Sequence, residues 1–257
     1  MSKITFLGTC ACDFSPRLKT DLKDKFDKDA RRSSALLIGE GTLVDCGIHI
    51  LDELRISGTD PAKIKDILVT HLHIDHYDVD NVKAIAEAAE RPLRLWVKEG
   101  ANVPEISGVE VIHMTQFERY ELAPDLYVTG MPANHAYEVF PQHFLIETEG
   151  KSMFYGCDGA WLLNETCRHL MNRALDLIIL DCTVGDYAGD KRLPEHNSIP
   201  MIRLMLPSFK TLGISGDKTR VYLSHLAPSL NVPHDETVKI AAEIGCLVAY
   251  DGLSIDL

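Results

Sequence analysis

The sequence predicts an α/β fold in which two sheets pack face to face and helices cover the outside. Three observations lead there. Short β-rich runs crowd the early part of the chain, and later runs alternate with helical patterns. Turn residues, not long linkers, separate them. Of the 257 residues 46% are hydrophobic, enough for a sizeable core in a single domain spanning residues 1–257.

Taken in order, strands are expected at Lys3–Gly8 ("KITFLG"), Ser34–Gly39 ("SALLIG"), Thr42–Cys46 ("TLVDC") and Asp66–His71 ("DILVTH"). Further strands are expected at Leu93–Val97, Val109–Met114, Asp125–Met131, His143–Thr148 and Ser152–Cys157. The last three fall at Leu175–Cys182, Arg220–His225 and Cys246–Tyr250. Helices are expected in "IHILDELRIS", "VDNVKAIAEAAE", "AWLLNETCRHLMN", "SIPMIRLMLPSF" and "DETVKIAAEIG", whose apolar positions recur at spacings near three and four. The one long charged stretch, "SPRLKTDLKDKFDKDARRSS" from Ser15 to Ser34, reads as a solvated loop or lid. No internal repeat or low-complexity tract stands out.

The charge balance narrows the function. With 38 acidic against 26 basic residues the formal net charge is −12, which argues against a broad footprint on nucleic acid or an anionic membrane. A small anionic substrate stays open, because bound cations invert a local field. The seven cysteines are odd in number and several lie in apolar runs, so buried reduced thiols are expected rather than disulfides. The opening "MSKITFLGTC" lacks the apolar core of a signal peptide, and no run reaches membrane-spanning length. A cytoplasmic location is the expectation.

The chemistry concentrates in "LVTHLHIDHYD", Leu68–Asp78, where His71, His73, Asp75 and His76 follow an apolar run. Imidazole nitrogens and carboxylate oxygens at this spacing suit a borderline divalent metal such as zinc or manganese. His71 and His73 can approach one ion from one side, while a tight turn directs Asp75 and His76 to a second. Other ligand types stand where later strands should end: His135, Asp158 and His225. Asp158 has an alternative use, capping a helix that begins near Gly159. Asp78 and Asp80 are assigned to capping the helix near Val79 and not to metal.

Together, "LVDCG", "THLHIDH", "NH", "GCDG" and "LSHL" make the chain resemble the metallo-β-lactamase superfamily over nearly its whole length. The resemblance implies an α/β fold of the αββα sandwich type. It implies two divalent ions per chain, one on His71, His73 and His135, the other on Asp75, His76 and His225, with Asp158 bridging them. Asp75 then acts in catalysis as well as in binding. Asp45 is assigned to fixing the ligand loop through hydrogen bonds. A redox branch with Glu in the second motif position is disfavoured by His73.

Two such metals suit hydrolysis, with a water shared between them as nucleophile. "LIILDCTVGDYAGDKRLPEHNSIPMI" is similar to the phosphoribosyl cyclic phosphodiesterase branch, which implies His196 as the acid that protonates a leaving alkoxide. A helix-capping role for His196 is the competing use. "RRSSALL" resembles the same branch, making Arg31 and Arg32 candidates for phosphate contact, with a solvated pair as the alternative. That branch can carry an extra structural zinc. Cys10 and Cys12 have no further cysteine nearby and Pro228 lies three after His225, so none is expected here.

The leading reading is a phosphodiesterase for a small, cyclic or linear, sugar or nucleotide phosphate. A lactone or thioester hydrolase would make His196 dispensable. An RNA-processing nuclease is disfavoured by the acidic balance, and a non-catalytic metal-binding protein by the full ligand set. The expected partner is a small anionic phosphoester, without nucleic acid or membrane; a homodimer is compatible with the sequence.

Overall fold

Side chains alternate between the two faces of a strand, and here both faces are apolar. Ile4 and Phe6 of β1 (Lys3–Gly8) join Leu36 and Ile38 of β2 (Ala35–Ile38) in one cluster, whereas Leu7 and Leu37 enter another. In β11 (Leu175–Asp181), Leu177 and Ile179 face one way, and Ile178 and Leu180 the other. Strands buried on both sides need a second sheet on one face and helices on the other.

The structure, a computed structural model, describes residues 2–257. One sheet comprises β1, β2, β3 (Thr42–Val44), β4 (Asp66–Leu68), β5 (Leu93–Lys98), β6 (Val109–Met114) and β14 (Ser254–Asp256), in the order β14–β1–β2–β3–β4–β5–β6. The other comprises β7 (Arg119–Ala123), β8 (Leu126–Pro132), β9 (Gln142–Thr148), β10 (Lys151–Gly156), β11, β12 (Ser215–Ser224) and β13 (Leu247–Val248), running from β13 to β7 in reverse chain order. Between the sheets, Phe6, Val44, Leu68 and Trp96 meet Phe144, Ile146, Tyr155 and Ile179. Each such fully buried side chain contributes about 1.5–3 kcal/mol relative to exposure.

Helices α1 (Ile50–Ser57) and α2 (Val79–Ala88) lay Ile50, Leu54, Val82 and Ile85 on the outer face of the first sheet. Helices α3 (Asn164–Leu170), α4 (Ile199–Thr211) and α5 (His234–Ala242) cover the second through Leu170, Ile202, Met205, Phe209 and Ala241. This is the αββα sandwich expected from the sequence. No helix among the described residues is long and apolar enough to cross a membrane.

Two strands escaped the sequence reading. In β7 only Leu122 is buried, so this edge strand shows no apolar run, and β14 is three residues pairing with β1 alone. Boundaries also move: β4 ends at Leu68, short of His71, and β12 starts at Ser215 instead of Arg220. Helix α3 begins at Asn164, well after Ala160, because Leu163 is still extended. The charged segment 15–34 is not a loose loop. Leu18, Leu22 and Ala30 form a small cluster of their own, and buried Arg32 donates to the carbonyls of Leu22, Lys23 and Lys25.

Pairing of β3 with β4, of β10 with β11 and of β11 with β12 is parallel. Within each sheet the carboxyl ends of these strands therefore share one edge, and the predicted ligands follow those ends.

Candidate metal centre

Beyond β4 the chain leaves the sheet and turns back within six residues, with His76 N and Tyr77 N both donating to His73 O. This turn presents His71, His73, Asp75 and His76 together. It packs so closely on the β3–α1 connection that a Cβ at Gly47 would lie 1.8 Å from the Asp75 carbonyl oxygen. Only glycine fits there. Asp78 caps α2, its carboxylate accepting from Asp80 N and Asn81 N, as expected from the sequence. Asp80 pairs on the surface with Lys83.

Of the four donor groups that result among the described residues, two match the expected ligand sets, and the others add Asp181 and His196 to Asp158 and His225, and Glu195 and His196 to His135. Of the matching two, the first joins His71, His73, His135 and Asp158, and the second joins Asp75, His76 and His225. In the first, His71 Nε2 lies 2.9 Å from His73 Nδ1, His73 Nδ1 3.3 Å from His135 Nε2, and Asp158 Oδ2 3.7 Å from both His71 and His135. In the second, His76 Nε2 is 3.1 Å from His225 Nε2 and 3.5 Å from Asp75 Oδ2. Asp158 Oδ2 also reaches this group, at 3.9 Å from His76 and 3.4 Å from His225. Tetrahedral bonds of about 2.0–2.1 Å place neighbouring donors about 3.3–3.4 Å apart. Both groups bracket that value, so the residues present fit a metal. The helix-capping use of Asp158 falls away, since α3 starts six residues later.

The far nitrogens of four histidines are held by oxygen. His76 Nδ1 is 2.8 Å from Asp45 Oδ2, and Thr70 donates to the same carboxylate from both its backbone nitrogen and its hydroxyl. Thr70 Oγ1 also sits 3.1 Å from His71 Nδ1. His225 Nδ1 is 3.0 Å from Asp181 Oδ2 and 2.9 Å from Thr183 Oγ1, and His135 Nδ1 is 3.4 Å from Glu195 O. Such partners fix ring orientation and leave the opposite nitrogen free to coordinate. Asp45 and His225 both adopt left-handed backbone (φ 69° and 56°), a strained state sustained by these bonds.

Electrostatics follows the neighbours. Burial opposes charge on Asp158, but the imidazoles of His225, His196 and His135 outweigh it and hold the carboxyl well below its usual range. Burial and the adjacent His76 pull His71 well below an ordinary histidine, toward the neutral form a ligand needs. His196 is partly buried, which opposes its charge, yet Asp158 and Asp181 overcome that and push its pKa up to about 11.

His196 lies inside the site and does not cap a helix: Ser198 caps α4 through Met201 N. Its Nδ1 is 2.7 Å from Asp158 Oδ1 and 3.1 Å from Asp181 Oδ2. Arg31 and Arg32 are not brought to this cavity. Arg31 is 4% exposed and engages Thr9 Oγ1, Ala249 O and His234 Nδ1, while fully buried Arg32 ties down the 15–34 segment. The basic side chain lining the cavity is instead Arg192, four residues before His196. That cavity, about 410 Å³, is also lined by His73, Asp75, His135, Asp158 and His225.

Sequence reasoning missed Asp181, Thr70 and Thr183. A signal for Asp181 was present: "VDCG" and "LDCT" both end a strand with Asp-Cys, and both aspartates hold the Nδ1 of a ligand-type histidine.

Two packed sheets flanked by helices, with imidazole and carboxylate donors converging beyond the strand ends, are the layout of a metallo-hydrolase fold. The family model for the Beta-lactamase superfamily domain matches residues 42–226, and the chain belongs to the metallo-β-lactamase superfamily. Among solved structures it is similar to the metallo-β-lactamase fold protein YhfI of Bacillus subtilis, with 17% identity, TM-score 0.76 and 99% and 98% of the two chains covered. Zn(2+)-bound PqqB of Methylobacterium extorquens is likewise 17% identical, at TM-score 0.74 over 99% and 100%. A diphosphatase from the PhnP family is 20% identical, at TM-score 0.73 over 100% and 98%. No curated protein sequence matches the chain.

Proposed function

We propose that the protein is a dinuclear phosphodiesterase acting on a small, cyclic or linear, sugar or nucleotide phosphate. Two divalent ions, zinc or manganese, would be held by His71, His73 and His135 and by Asp75, His76 and His225, with Asp158 common to both. Bound there, they supply Lewis acidity toward a phosphoryl oxygen and toward water. The chain does the rest. Asp45 and Asp181 keep His76 and His225 oriented with Nε2 inward. Thr70 braces the first of these carboxylates and Thr183 the second.

The observation that carries the reading is the placement of His196. Its Nδ1 is committed to two carboxylates, which leaves Nε2 to face the cavity that His196 lines. A protonated imidazole so placed can deliver its proton to a departing alkoxide, a contribution of about 10²–10⁴-fold. Lactones and thioesters need such an acid less. The similarity to a diphosphatase is consistent with phosphoester chemistry.

The test is a panel of cyclic phosphates, linear phosphodiesters, lactones and thioesters, assayed with zinc or manganese on the native enzyme and on His196→Ala. The variant should keep its metal and lose about 10²–10⁴-fold on phosphodiesters with poor leaving groups, with a much smaller loss on activated aryl esters. Equal losses on both, or preference for lactones or thioesters, would overturn the assignment.

A further inference from the structure

His196 sits at one end of the loop that runs from Thr183 to the start of α4, and this loop separates two cavities. Thr183, Arg192, Glu195 and His196 face the metal centre. Asp186, Tyr187 and Ile199 of the same segment line a second cleft of about 350 Å³. Ser229 lines both cavities, so a molecule bound at the donor groups can continue over it into the cleft.

The two spaces differ in chemistry. The first is ringed by histidines and carboxylates. The second is walled by Tyr187, Leu230, Val232 and Ile240, with Asn231, Thr237 and one carboxylate, Asp186, among its polar groups and no lysine, arginine or histidine in its lining. Tyr187 and Val232 are 55% and 45% exposed, apolar surface held open beside the site. Aromatic and aliphatic walls with a few polar groups suit a flat ring, and stack or clamp it without needing charge.

Direction settles what reaches the cleft. In an in-line displacement the leaving oxygen departs on the side of the acid that protonates it. If His196 is that acid, the leaving side of the substrate faces the Thr183–Ile199 loop, whose other residues line the cleft. Resting on the phosphodiester reading above, we propose that the cleft beside Tyr187 binds a nucleobase, making the substrate a nucleotide rather than a bare sugar phosphate.

Adenosine 2′,3′-cyclic phosphate and ribose 2,3-cyclic phosphate share their scissile bonds and differ only in the base. With manganese, the base-bearing compound should show a kcat/KM at least about tenfold higher, mainly through KM, since stacking one base on an aromatic ring gives effects of this size. Tyr187→Ala should bring that ratio toward one. Adenosine itself, titrated into the purified protein and followed by NMR, should perturb resonances of the native chain and far less those of Tyr187→Ala. Equal kcat/KM values, or a preference and titration unchanged by Tyr187→Ala, would refute the cleft. Hydrolysis of neither compound would remove the cyclic-phosphate form of the phosphodiester reading, and the adenosine titration would then decide the cleft alone.

Discussion

Replacing Asp181 by Asn tests how the site is held, because the change alters chemistry at one atom and almost nothing in shape. Oδ1 of Asp181 accepts from two backbone nitrogens, Thr183 N at 3.0 Å and Asn197 N at 2.9 Å. An asparagine must turn its carbonyl to those donors, which forces the amide nitrogen into the Oδ2 position. There it meets His225 Nδ1 at 3.0 Å and His196 Nδ1 at 3.1 Å. A donor facing Nδ1 favours the tautomer protonated on Nε2, the nitrogen His225 needs free for a metal. Losing such a partner lowers metal affinity by about 10–100-fold, or about 1.4–2.7 kcal/mol. Asp181→Asn should therefore fold with a nearly native melting temperature, bind one ion as before and the other more weakly. Titration calorimetry against zinc, with elemental analysis after dialysis, measures both. Unchanged affinity for both ions would show that the carboxylate does not set the His225 tautomer.

Further outcomes follow from the same geometry. Asp158→Ala should reduce occupancy of both donor groups, since Oδ2 lies within 3.9 Å of a nitrogen from each; loss of one ion alone in elemental analysis would confine Asp158 to a single group. Gly47→Ala should cost on the order of 1–3 kcal/mol in thermal melts and weaken metal binding, because its Cβ would collide with the Asp75 carbonyl; native values for both would contradict the packing. Burial raises the Asp251 pKa to about 6, against the opposing pull of Arg31. With an unfolded value of about 3.9, this group favours folding fully below pH 4 and loses that contribution as pH rises through about 6, up to about 3 kcal/mol. Asp251→Asn should flatten that part of the melting-temperature profile; a profile with its slope intact would rule the group out.

The composition and periodicity of the chain were sufficient to specify the layers. Continuous apolar runs along β1, β2 and β11 and the stripes on the five helices are local patterns, and each element reports its burial in its own residues. The ligand loop was equally legible, because His71, His73, Asp75 and His76 are neighbours in sequence and their crowding has few other uses. Where the signal is not local, the sequence was silent. Strand β7 is an edge with one buried residue, and β14 exists only because β1 offers it a partner. The resemblance of "RRSSALL" made Arg31 and Arg32 candidates for phosphate contact, with a solvated pair as the alternative, but burial turned both toward carbonyls and uncharged side chains. Arg192 took the place beside His196. The role of Asp181 depends on three segments meeting, the end of β11, the loop to His196 and the end of β12, which lie 15 and more residues apart. A hydrogen bond between distant segments leaves no mark on either one's periodicity; only the closed fold brings the donor and the acceptor to within 3.0–3.1 Å of each other.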